Sequence, residues 1–94
     1  MEFTNYITGC IADYILNDSN YMRTLNLLVR DSMQHTQVDE TVELVAKSLK
    51  DVIEYDISES IIEASLLTKT IISSAIQMID YKDIAYRVVE RLNH

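Results

Sequence analysis

Ninety-four residues, 48% apolar and 24% charged, suffice for one domain with a modest core and are too apolar for a disordered chain. The net charge of −7, fifteen acids against eight bases, repels phosphate backbones and argues against direct DNA or RNA binding. A lone cysteine, Cys10, excludes an internal disulfide and a cysteine-rich metal site.

The chain has no proline and one glycine, and its apolar residues recur at three and four. Hairpins and bulges have little to be built from, so the pattern predicts an all-α fold: a compact bundle of four or five short helices spanning residues 1–94 as a single domain. In the first stretch Phe3, Tyr6, Ile7, Cys10, Ile11, Tyr14 and Ile15 share one face, which makes Cys10 a small buried hydrophobe. Gly9 within that stretch marks a kink or a close helix contact. Asn17, Asp18, Ser19 and Asn20 form a break rich in N-cap residues. A second helix follows with Tyr21, Met22, Leu25, Leu28, Val29 and Met33 inward, ending near His35.

Thr36 to Asp39 has the form of a capping box for a third helix. Val38, Val42, Val45, Leu49 and Val52 then give a coiled-coil-like seam, either the domain's own core or a dimer contact. Glu43 and Lys47 are spaced for an ion pair on its outer face. Ser58 is placed to cap the fourth helix, with Ile57 and Ile62 as a hydrophobic staple. That helix is the most apolar and is studded with small residues, which makes it the expected centre of the core. Asp80 caps the fifth helix, where Tyr81, Ile84, Ala85, Val88 and Leu92 face inward.

Chemistry is nearly absent from this sequence. It has no glycine-rich phosphate loop, no Cys-x-x-Cys, no His-Glu-x-x-His and no calcium loop, and its histidines are His35 and His94 alone. The expectation is a non-enzymatic protein with no cofactor and no metal site. Glu59 and Glu63 share a helix face as solvated neighbours, and Asp31 with His35 reads as a local ion pair at a helix end. The opening Met1-Glu2-Phe3-Thr4 lacks a signal peptide's features, and the apolar run from Ile61 to Ile79 is broken by Glu63, Lys69 and Gln77. A cytoplasmic protein with no membrane partner is expected.

Two features point to binding. Residues 39–63 carry eight acids against Lys47 and Lys50, so this window supplies −6 of the net −7. Glu40, Glu43, Asp51 and Glu54 are its candidate partner-binding residues. Six tyrosines against one phenylalanine suit half-buried edges and interfaces, and Tyr86, off the inward stripe of the last helix, is the candidate exposed aromatic. The leading expectation is a protein that self-associates, a dimer being favoured, and binds or inhibits a partner protein. In style it is similar to phage-encoded accessory and inhibitor proteins. One alternative is a DNA mimic that occupies a nucleic-acid-binding protein through the acidic band.

Another is a small-molecule carrier. Asp31-Ser32-Met33, with Thr41-Val42-Glu43-Leu44-Val45 downstream, resembles the acyl carrier proteins. The resemblance implies that Ser32 would receive a phosphopantetheine arm. It rests on three residues, and the family's glycine-containing loop before the serine is missing here.

Overall fold

The computed structural model describes Phe3 and residues 5–92. Among the described residues there are five helices and no strand: α1 (Tyr6–Leu16), α2 (Ser19–Met33), α3 (Val38–Ser60), α4 (Leu66–Ile76) and α5 (Tyr81–Leu92). Four begin on the side-chain caps that such helices need for their orphan N–H groups. Asn5 accepts from the Thr8 N–H at 2.9 Å, and Asp18 from those of Asn20 and Tyr21 at 2.9 and 3.0 Å. Ser65 accepts from Thr68 at 3.2 Å, and Asp80 from Asp83 at 3.0 Å.

The core lies between α3 and α5, the most extensive helix pairing in the molecule. Val42, Val45, Leu49 and Ile53 of α3 meet Ile84, Ala85, Val88 and Val89 of α5, and Ala12, Ile15, Leu25 and Val29 complete one buried cluster. The expected seam is therefore the domain's own core, with a shift at both ends. Val38 and Val52 are 42% and 41% exposed, and Ile53 is buried where Val52 was expected. A heptad stripe drifts by about 20° per repeat on a helix of 3.6 residues per turn, which carries Val52 to the edge of the buried face, whereas Val38 keeps the phase of Val42 and Leu49 and is exposed as the first residue of the helix.

The first helix is rolled relative to its apolar stripe. Thr8, Ala12 and Ile15 are buried, whereas Tyr6, Cys10 and Tyr14 are exposed. Cys10 is thus not a core residue. The roll follows from Thr8, whose fully buried Oγ1 accepts from the Asp80 N–H at 2.9 Å and pegs α1 to the turn before α5. Asn5 reinforces it, donating from Nδ2 to the Met78 carbonyl at 2.7 Å. Gly9 marks neither a kink nor a helix contact. The Phe3 ring lies over it, 3.5 Å from where a Cβ would stand. The same ring carries the Arg87 guanidinium 5.0 Å from its centroid.

Two further local expectations change. Gln37, not Thr36, is the N-cap of α3, and it makes no side-chain cap bond. Thr36 instead donates to the Ser32 carbonyl at 2.9 Å, and its hydroxyl joins a cluster with Ser32 and Thr41. Ser32 Oγ and Thr41 Oγ1 lie 2.7 Å apart, both buried, and clasp the end of α2 to the start of α3. The third helix also runs on to Ser60 instead of yielding to a cap at Ser58. Nothing between Val52 and Ser60 stops a helix, and Ser60 Oγ donates back to the Asp56 carbonyl at 2.8 Å. Glu59 and Glu63 consequently fall on α3 and on the following turn, not on one helix.

At 23 residues α3 is about 35 Å long. It sets the 45 Å long axis of the molecule and a radius of gyration of 14.0 Å, against about 12 Å for a rounder chain of this length. The buried stretch of α3 ends at Ile53, and of its last two turns Ile57 packs against the core.

The buried hydroxyl contacts yield a stability test. Thr8→Val removes the hydroxyl that accepts from the Asp80 N–H, and Thr41→Val leaves the buried Ser32 Oγ with Thr36 alone; each should cost about 0.5–1.5 kcal/mol, a fall in Tm of about 4–8 °C per kcal/mol. Thr24→Val, on an exposed position, should leave Tm unchanged. Equal melting of all three variants and the parent would contradict the pegging role.

Candidate functional site

The expected centre of the core is the least buried helix of the five. α4 has no buried residue and takes part in none of the extensive helix pairings. Leu66, Leu67 and Ile71 are 81%, 71% and 60% exposed. The reason lies in how its apolar residues are spread. They circle the helix instead of forming one stripe, so no single face can place them all against a core that four other helices already fill. Its C-terminal end is tethered through the Met78 carbonyl and the Asp80 amide to Asn5 and Thr8. Its N-terminal end begins after the turn that leaves α3.

Between α4 and the rest runs an apolar groove of about 390 Å³. Ile72, Ala75 and Ile76 form one wall, and Ile7, Ile11 and Ile57 part of the other. The bulky stripe of α1 that missed the core therefore lines this groove. A second groove, of about 400 Å³, lies between α2 and α3 beside Thr24, Ser48 and Val52. Tyr14, Tyr21 and Asp56 border both. The Tyr21 hydroxyl donates to Asp56 Oδ2, and the two tyrosine rings meet edge to face, 5.8 Å between centroids.

On its outer side α4 is small and uncharged at its middle. Thr70 Oγ1 donates to the Leu66 carbonyl at 2.8 Å, and Ser74 Oγ to the Thr70 carbonyl at 3.0 Å. Lys69 is the one charged residue between positions 64 and 79. That property was open to sequence reading, which took the same stretch for the core.

The proposed partner-binding acids lie along the exposed side of α3, interleaved with Lys47 and Lys50. Glu40 and Asp51 are exposed. Glu43 pairs with Lys82 of α5 at 2.7 Å, not with Lys47, and this contact raises the lysine's pKa. Glu54 accepts from the Tyr81 hydroxyl at 3.3 Å. Tyr86, one turn beyond Lys82, is 46% exposed. Thus α5 brings Tyr86 towards Glu43 while engaging two of the four acids.

Ser32 is 6% exposed in the last turn of α2 with its hydroxyl held by Thr36 and Thr41. It is not presented at the opening of a helix, as the serine of an acyl carrier protein is. Asp31 and His35 are exposed and form no ion pair with each other. Among the described residues no group of three or more His, Cys, Asp or Glu side chains is arranged to hold a metal ion. No helix among them is long and apolar enough to cross a membrane. The chain matches no known family model, curated protein or solved structure.

The tyrosine contacts yield a pH test. Burial, and then the Asp56 carboxylate, push Tyr21 well above its ordinary value, and burial followed by Glu54 does the same for Tyr81. Each keeps its proton in the fold at a pH where the unfolded chain has lost it. Their contribution to stability is therefore fully present below about pH 10 and is lost as the pH rises beyond it. Alkaline titration of tyrosine absorbance should show Tyr21 and Tyr81 ionising with unfolding, beside an exposed Tyr6 raised by its contact with Cys10, and Tyr81→Phe should remove one of the two that follow unfolding. Uniform titration of every tyrosine near its ordinary value in the folded protein would contradict the contacts.

Proposed function

We propose that this protein works by binding, self-associating through the apolar flank built on α4 and offering the acidic α3–α5 face, with Tyr86 beside it, to a partner protein. The observation that carries the reading is the exposure of α4, an apolar helix without a single buried residue. A large exposed apolar patch on a small chain is the mark of an interaction surface. The hydroxyl bonds of Thr70 and Ser74 to their own helix support it, because covering this face strands no donor.

The acidic face is a second, separate surface. Its acids alternate with Lys47 and Lys50, and Lys82 neutralises Glu43, so the field is weaker than the acid count suggests. This favours a protein partner with a mixed, mainly basic surface over mimicry of a uniformly charged DNA backbone. The groove beneath α4 supports one other reading, a carrier for an apolar small molecule held without covalent attachment.

Native mass spectrometry over a range of concentrations, beside a denatured mass, tests the proposal. The expected result is twice the 10.9 kDa chain mass, rising with concentration, and a denatured mass with no added group. Self-association should persist in high salt, as apolar contacts do. A monomer at every concentration would overturn the reading, and a monomer that retains a non-covalent adduct would favour the carrier.

A further inference from the structure

We infer that a second copy of this chain covers α4, the two α4 helices packing antiparallel about a two-fold axis with Thr70 of one copy opposite Ser74 of the other. The inference rests on the self-association reading and specifies its interface.

Charge selects the occupant. Two chains of net charge −7 repel each other, so contact between copies is favoured where acids are absent. α1 carries Asp13, α2 Asp31, α5 Asp83 and Glu90, and α3 most of the acidic band. α4 alone carries no acid, and its one charge is the cation Lys69. A homotypic contact there sets no carboxylate against another. A strongly basic partner would gain nothing from docking on this helix, since its complement lies on α3.

Size and register fit a pair of identical helices. Thr70 and Ser74 stand four residues apart on one face with Leu66 and Leu67 before them. Small residues at this spacing let two helix backbones approach closely, and here the hydroxyls are already satisfied within the helix. With Thr70 opposite Ser74, Leu66 of each copy falls beside the turn after α4 that carries Met78 of the other. Both side chains are 60% exposed or more in the single chain. The two-fold axis thus leaves small side chains at the middle and large apolar ones at each end. Leu66, Leu67, Ile71, Met78 and the small residues between them offer roughly 600–800 Å² per copy, close to what a stable interface buries on each partner.

The test uses the full chain with Cys10→Ser, because that exposed thiol would otherwise react. Ser74→Cys in this background lies near the axis and should be joined to its counterpart by a short bismaleimide, giving a covalent dimer. Lys50→Cys, on the exposed side of α3, should remain monomeric under the same treatment. Leu67→Glu should retain the melting temperature at dilutions where the parent is monomeric, as it replaces a side chain exposed in the single chain, yet weaken dimerisation by about 100-fold through burial of an unpaired charge. A dimer that resists Leu67→Glu and leaves Ser74→Cys uncoupled would overturn this interface while preserving self-association. A chain that is monomeric throughout would overturn both.

Discussion

The packing of α3 against α5 is the constraint on which the rest of the molecule depends. Val42, Val45, Leu49 and Ile53 oppose Ile84, Ala85, Val88 and Val89, and all eight are buried. At about 1.5–3 kcal/mol for each large apolar side chain, this seam supplies the main driving force of a small chain. α1 and α2 add only Ala12, Ile15, Leu25 and Val29 to the fully buried set. These four helices make up the buried cluster, and α4, whose apolar residues circle the helix instead of forming one stripe, adds no buried residue to it.

That arrangement shapes the molecule's surfaces. The Thr8 and Asn5 contacts hold the end of α4 beside α1, which leaves an apolar groove on one side and an uncharged face on the other. The same α3–α5 seam turns the acids of α3 outward and sets Lys82 and Tyr81 against two of them. One packing decision therefore yields two chemically different faces, one apolar and free of acids, the other acidic and laced with lysines. Such a division suits a protein that meets its own copy and a partner by different forces, one salt-resistant and one salt-sensitive.

Much of the fold was legible in the sequence because its signals were local. The breaker-free composition and the caps at Asp18 and Asp80 mark helices directly, and the inward stripes of α2 and α5 are clean amphipathic patterns. The seam of α3 was legible save at its ends, where Val38 opens the helix and Val52 has drifted from the phase of the 3.6-residue turn. The errors came from competition between elements. Two stretches, α1 and α4, offered bulky apolar faces, and hydrophobicity alone ranks such faces high. The choice of the smaller Thr8–Ala12–Ile15 face of α1 depended on a hydrogen bond to Asp80, 72 residues away. The outer position of α4 goes with apolar residues that circle the helix, so that its sequence marks no one inward face. Tyr86 is exposed, but Tyr6, Tyr14 and Tyr55 are more so, and Glu54 is half-buried where the other three acids are exposed; the pairing of Glu43 with Lys82 is tertiary and has no signature in either helix alone.

The central claim is that α4 is an apolar helix waiting for a cover that its own core does not provide. Hydrogen–deuterium exchange, resolved by segment and repeated at low and high protein concentration, tests it most directly. The α3 and α5 amides should be protected equally at both concentrations, whereas those of α4 should exchange fast when dilute and slow markedly when concentrated. Protection of α4 that matches α3 at every dilution would show that it packs on its own chain, and would contradict the account.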